Sequence, residues 1–592
     1  MKLRASRAPF WLALCAALLS PLSLSAGTAA EDFEALWKAD WDWRLTQSPR
    51  MAGDVGETPR SDHLESVDEA TQQAQGQYWA ELLRKLDGID ANALNVEDYA
   101  NYAIFRHQIE TSLDGVRMRA YQMPMNGDSS FFGGLQHWAQ RQQLSDAAAV
   151  NRYLTQLADV PRWLGEHQAN MAAGLAAGRT LPKIILTGRD GPLRSEAELK
   201  DPTASVFYAP LRTLPDALDQ SAQQAARERA AKLIGEQVLP AQRRLLAFLV
   251  DDYLPGARDS IGASELPDGD AYYRAQIREF VTEDLSPEEI HQTGLSEVAR
   301  IRAEMEQIIA ELEFDGDFAA FLKFLRTDPQ FYPTTPYQLL AHASYYAKKI
   351  DGKLPEYFGK LPRAPYGVAP VPDAIAPFYT AGRYVPGGRN GGSGTYWVNT
   401  YQLDARPLYA IPALTLHEAV PGHHLQNALA AEAEEQPPFR RYNYLSVYGE
   451  GWGLYAEWLG QEMGIYETPY DHFGRLTYEM WRACRLVVDT GMHAKGWSRQ
   501  QAYDYMKNNT ALSEHEIGTE IDRYIGWPGQ ALSYKLGELE IRRLRSKAQA
   551  DLGARFDLKA FHDQLLALGS VTLPVLQSSV ERWIAAQTAA TP

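Results

Sequence analysis

At Ser286-Pro287-Glu288-Glu289 the chain carries a serine able to cap a helix, a proline suited to the first helical position and a glutamate placed to close a capping box. Ile290, Val298, Ile301, Met305, Ile308 and Ile309 follow at helical spacing, so one side of the segment is apolar only if it coils as an α-helix. The same start signal recurs at Ser498 with Gln501 and at Ser513 with Glu516. Helical bias also runs through residues 90–113, 147–177 and 220–253. Strand signals are confined to one place, a glycine-rich turn at 387–394 followed by Thr395-Tyr396-Trp397-Val398-Asn399-Thr400. The expected fold is mostly α, with a small β element just ahead of a histidine cluster. That element reads equally well as an ordinary surface hairpin or as part of a site.

With 592 residues, 45% of them hydrophobic, the chain can bury a large core. Lys2, Arg4 and Arg7 followed by the apolar run from Phe10 to Leu19 read as a secretory leader, cut after Ala29 or, alternatively, Ala26 or Ala30. The run is about half the ~20 residues that span a bilayer, and Cys15 sits inside it after Leu14, where lipid attachment would call for a small residue. A periplasmic or secreted protein without a stable membrane anchor is expected. Residues 1–30 are assigned to the leader and 31–592 to one helical domain, divided into an N-terminal half, 31–280, and a half carrying the site, 281–592. The net charge of −17 becomes more negative once the leader is removed, which argues against nucleic acid as a partner. Cys484 is then the sole cysteine, so no internal disulfide can form.

Three of the 13 histidines fall within His417-Glu418-Ala419-Val420-Pro421-Gly422-His423-His424, whereas His63, His107, His137 and His167 are scattered and read as structural. A histidine followed at once by glutamate, with a second histidine returning to the same side, is the arrangement of a metallopeptidase helix. Here the position four after His417 is Pro421, which removes an amide and crowds the His417 carbonyl, so a widened or kinked helix is expected. A bulge absorbing Pro421-Gly422 brings His423 into the place of the second ligand, with His424 as its competitor. The next acidic candidates lie in Gly449-Glu450-Gly451-Trp452-Gly453-Leu454-Tyr455-Ala456-Glu457. Glu450, between glycines that permit close approach, is the candidate third ligand, and Glu457 a supporting group behind it.

These segments carry a resemblance. Leu285-Ser286-Pro287-Glu288-Glu289-Ile290-His291, the glycine turn with Tyr396 to Thr400, the run from His417 to Gln426, Gly449 to Glu457, and Arg523 to Lys535 resemble the bacterial family catalogued as domain of unknown function 885. That family is similar in turn to helical gluzincin peptidases such as thimet oligopeptidase, angiotensin-converting enzyme and the Taq-type carboxypeptidases. The resemblance implies an elongated helical zincin-like fold split by a deep substrate channel, with Zn2+ held by His417, His423 and Glu450. The spacing from His417 to His423 is longer than in those enzymes. Pro528 to Tyr534 resembles their tyrosine-bearing stretch, which makes Tyr534 the first candidate and Tyr524 the second for steadying an oxyanion, with a core aromatic role the alternative for either. Tyr396, Asn399, Gln530, Arg523 and Lys535 are the candidate substrate-binding residues.

The implied reaction is hydrolysis of short peptides, with metal-activated water and Glu418 as general base. The strand at 395–400 is expected to hold an extended peptide by strand addition. The alternatives are a noncatalytic periplasmic peptide-binding protein and a zinc amidase acting on a nonpeptide amide.

Overall fold

A computed structural model describes residues 28–126, 129–373, 375–387, 392–433 and 436–589, and the fold is elongated, with 70% helix and 3% strand. The leader's basic and apolar residues and positions 388–391 of the glycine turn lie outside the described residues. Local signals account for most helix starts. α1 (Ala29–Gln47) begins with a reciprocal capping box between Thr28 and Glu31. α2 (Val96–Arg117) and α3 (Ala147–Ala176) occupy two of the segments with helical bias. In the third, helices Gln220–Leu233 and Leu239–Ala247 are joined by a π-helical turn just before Pro240, whose missing N–H removes one α-type bond.

α4 (Gly269–Val281) leads into α5 (Pro287–Glu311), where the Ser286–Glu289 capping box forms in full and the stripe from Ile290 to Ile309 is buried apart from half-buried Ile308. After α6 (Pro336–Tyr357) come the three strands β1 (Tyr366–Pro370), β2 (Gly382–Val385) and β3 (Gly394–Val398). β3 lies in the middle, parallel to β1 and antiparallel to β2. Both edges of β3 are therefore already paired, and the expectation that this strand adds a peptide is corrected: only β1 and β2 present an edge.

α7 (Ile411–Glu418), α8 (His423–Glu432) and α9 (Ser446–Leu459) follow the sheet. α10 (Pro469–Ala494) is the central helix, buried from Phe473 to His493 although it carries Arg475, Glu479, Arg482, Arg485 and Asp489. α5 packs along α10, and α9 along α13 (Ser533–Leu552), while α11 (Arg499–Asn509) and α12 (Glu514–Gly526) pack on α10 and on each other. The Ser498–Gln501 box closes reciprocally; at Ser513 only the cap forms, and Glu516 lines a crevice with Arg406 and Tyr409 instead. Buried apolar side chains from Phe33 to Ile584 join in one core. Among the described residues no helix is long and apolar enough to cross a membrane.

Candidate metal centre

The path of the chain through Pro421 sets the geometry. With no N–H and a ring that crowds the preceding turn, Pro421 cannot continue α7. The helix stops at Glu418 and α8 starts at His423. The expected bulge within one helix is thus corrected to a break between two. Across it, Gly422 N–H bonds Leu416 O at 3.0 Å and His424 N–H bonds Ala419 O at 3.0 Å. Any Cβ on residue 422 would run into the carbonyl oxygens of Leu416 and His417, so the tight return requires glycine.

This return brings His423 beside His417, their ring centroids 4.7 Å apart and their planes perpendicular. Glu450 Oε2, from α9, lies 3.3 Å from His417 Nε2 and 3.4 Å from His423 Nε2. The three ligand atoms all lie within 4.8 Å of one another. Nitrogen and oxygen ligands at about 2.0–2.1 Å from a tetrahedral zinc are about 3.3 Å apart, so the two short separations fit such an ion. α9 comes this close because residue 453 is glycine; a side chain there would collide with the His417 ring.

Each of the two histidines has its other nitrogen beside a partner. His417 Nδ1–H donates to Glu457 Oε1 at 2.8 Å, and His423 Nδ1 lies 3.5 Å from Gln426 Oε1. This leaves both Nε2 atoms facing Glu450. His424 points elsewhere: Tyr384 OH donates to its Nδ1 at 3.1 Å and its Nε2–H donates to Ala364 O at 3.1 Å. Burial alone would lower the pKa of His417, but hydrogen bonds to Glu450 and Glu457 overcome it and push the value up to about 10. Burial works in the opposite sense on Glu450, whose carboxyl is held well below the usual range by His417 and His423.

Glu418 ends α7 with Oε2 accepting the Tyr384 N–H of β2 at 2.8 Å. Tyr534 lies over His417, ring centroids 6.5 Å apart, with the Arg485 guanidinium 4.2 Å from its own centroid. Tyr524 is only 1% exposed, and its hydroxyl accepts from Trp481 Nε1 at 2.8 Å and Arg485 Nε at 2.7 Å. It therefore braces the arginine under Tyr534, and with its hydroxyl also bonded to Glu520 and its side chain buried it has no O–H free to donate to a substrate oxygen.

The expected substrate residues are mostly structural in place. Tyr396 is buried against α7, its hydroxyl 3.4 Å from Thr415 Oγ1. The buried Asn399 amide donates to the carbonyls of Ala376, Tyr379 and Thr380. Lys535, fully buried, lies 2.8–3.0 Å from Glu297, Glu479 and Glu538. These three assignments are corrected: an aromatic facing the core, an amide spent on its own loop and an ammonium enclosed by carboxylates cannot reach a peptide. Gln530 accepts from Arg523 at 2.7 Å and donates to Ser446 at the start of α9. Sequence reasoning missed Tyr384 and Tyr444, whose hydroxyl donates to Glu450 Oε1 at 3.1 Å. The short Tyr384-Val385 stretch was the available signal for the first; the second sits in a loop without a pattern.

Fold and site together define a mostly helical protein with a His-His-Glu cluster in which His417 is buried and His423 and Glu450 are half-buried. The chain belongs to the family described as bacterial protein of unknown function, DUF885, whose model matches residues 49–580. Two solved structures, both described as putative lipoproteins, are similar. That from Colwellia psychrerythraea shares 27% identity over 94% of this chain and 100% of its own, with a TM-score of 0.82. That from Shewanella oneidensis, described as of unknown function, shares 18% identity over 93% of this chain and 99% of its own, with a TM-score of 0.71, and shows the fold alone. No curated protein matches.

Proposed function

We propose that this protein hydrolyses peptide bonds in short peptides, with zinc held by His417, His423 and Glu450. The observation that carries the reading is the spacing of those three ligand atoms, with both short separations near a tetrahedral edge. When bound, zinc supplies an activated water and an electrophile for the carbonyl. Glu418 has the base's place: it adjoins His417 in sequence, and the Tyr384 N–H holds one of its oxygens. Tyr534, stacked over His417, offers a phenol able to donate to a developing oxyanion. The resemblance of the His417 to Gln426 and Gly449 to Glu457 motifs to those of helical gluzincin peptidases, itself part of this proposal, favours the same assignment of ligands and base. Export to the periplasm or beyond is supported by the leader and by the description of the similar Colwellia psychrerythraea structure as a lipoprotein.

The test is Glu418→Gln, which keeps the shape of the side chain and removes the base. Zinc content by elemental analysis and folding by circular dichroism should match the parent. Cleavage of a short-peptide panel, followed by mass spectrometry, should fall by about 10² to 10⁴-fold. Unchanged turnover would remove Glu418 from the mechanism, and a parent protein that takes up no zinc on reconstitution would sink the reading.

A further inference from the structure

One cation beside this centre lacks the partner its neighbours have. Arg482 lies 3.6 Å from Glu457, Arg485 is 2.8 Å from Glu520, and Lys535 is enclosed by carboxylates. Arg406 gives its Nε to Tyr401 O, and its charge is answered by Glu516 in the crevice. Arg383, on β2, has no carboxylate within ion-pair distance among the described residues. It is exposed, and its guanidinium lies 5.9 Å from the Tyr379 ring centroid. In register it pairs with Trp397 of β3, and Trp397 meets Tyr379 edge-on at 5.9 Å.

The position of Arg383 in the strand matters. Its chain neighbour Tyr384 donates the N–H that holds Glu418, so the two residues tie the base and the free cation to one backbone segment. Side chains alternate along a strand: Gly382 and Tyr384 are buried, and Arg383 stands on the opposite face with Tyr379 and Trp397. The bond from its chain neighbour Tyr384 to Glu418 sets the backbone of Arg383 beside the proposed base, and Tyr379, Glu418 and Tyr534 are among the groups that raise its pKa. The protein as a whole is strongly anionic, and its field opposes the approach of a carboxylate. A carboxylate-bearing ligand therefore needs a local cation, and a planar guanidinium free of acid partners is the group best suited to bind it.

We propose that Arg383 is a carboxylate-binding subsite beside the proposed metal centre, receiving either the C-terminal carboxylate of a peptide or an acidic side chain near the bond to be cut. The proposal deepens the peptidase reading and rests on it for the identity of the ligand. Its test is kept apart by measuring binding separately from turnover. In the zinc-loaded Glu418→Gln background, calorimetry compares an acetylated tetra-alanine with a free C-terminus against its C-terminal amide. A second pair of amide-ended peptides carries glutamate or glutamine at one position.

At least one acid should bind about 10-fold or more tightly than its neutral twin. Arg383→Met should erase that ratio, and Arg383→Lys should restore part of it. The pair that shows the effect identifies the source of the carboxylate. Equal binding of acid and neutral peptides by the parent, or an unaltered ratio after Arg383→Met, overturns the subsite. So does an equal loss for all four peptides, which would mean that Arg383 serves the site through Glu418 or Tyr534. An acid preference that depends on Arg383, in a protein with intact Glu418 that cleaves none of these peptides, would support the subsite and count against the peptidase reading.

Discussion

Around Lys535 four cations meet four carboxylates: Lys535, Arg300, Arg475 and Arg542 against Glu297, Glu304, Glu479 and Glu538. Around His417 the balance differs. Glu450 and Glu457 both contact the His417 ring, Glu418 adjoins it in the chain, and among the described residues Arg482 is the arginine in ion-pair reach, of Glu457. α10 supplies residues to both assemblies. In the first, each charge is answered by protein and the Lys535 ammonium has an oxygen for each of its protons. In the second, two imidazoles and a carboxylate turn their free atoms toward one point, and a proton on His417 offsets part of the excess. Burial of charge is common to both; what separates a strut from a site is whether the protein itself completes the balance.

Removing a proposed ligand should break the open assembly most severely. His417→Ala and His423→Ala are each expected to lose zinc from about one per chain to near none by elemental analysis, while His424→Ala keeps it. Retention of metal by His423→Ala and its loss from His424→Ala would reverse the assignment. The closed assembly should respond in stability instead. Lys535→Met removes the cation shared by Glu297, Glu479 and Glu538 and leaves the network with one negative charge in excess, which should cost about 3–5 kcal/mol in urea denaturation, with zinc uptake by the folded protein unchanged. A cost no larger than that of a surface substitution would mean that the network does not hold the helices together.

Smaller effects sharpen the contrast. Glu457→Gln keeps a hydrogen-bond acceptor for His417 but removes the charge behind it, and zinc affinity should weaken by about 10 to 100-fold in competition with a chelator. The last effect concerns protons. In the metal-free chain the folded-state pKa of His417, about 10, exceeds the ordinary value of 6.5. Its contribution to stability is therefore full below about pH 6.5 and is lost as pH rises through about 10. Zinc must displace this proton, so calorimetry in buffers of different ionisation enthalpy should show about one proton released per zinc near neutral pH, and affinity should rise with pH. Binding without proton release would show that His417 is already neutral.

The helical architecture was legible because its signals are local. Ser286 with Glu289 and Ser498 with Gln501 cap their helices within one turn, and the stripe after Ile290 needs no distant partner to declare its period. The clustering of His417, His423 and Glu450 was legible for a related reason: His417 and His423 belong to one short segment, and Glu450 lies in the next glycine-rich helix. The substrate residues were not, because a tyrosine, an asparagine or a lysine has the same appearance in sequence whether it faces a cleft or a core. Tyr396 is turned inward by the alternation of β3, Asn399 is taken up by three carbonyls from a preceding loop, and Lys535 meets acids from two other helices as well as its own.

By itself the sequence determined that the chain is mostly helical and that a His-Glu pair with a second histidine lies at a helix break, since capping, periodicity and the missing proline amide act within a few residues. Tertiary structure decided which histidine turns toward Glu450, which tyrosine stacks on His417, and that Arg383 has no carboxylate in ion-pair reach among the described residues. Those outcomes depend on how α7, α8 and α9 meet across Gly422 and Gly453 and on β2 lying at the sheet edge beside Glu418, contacts between segments far apart in the chain that no local pattern encodes.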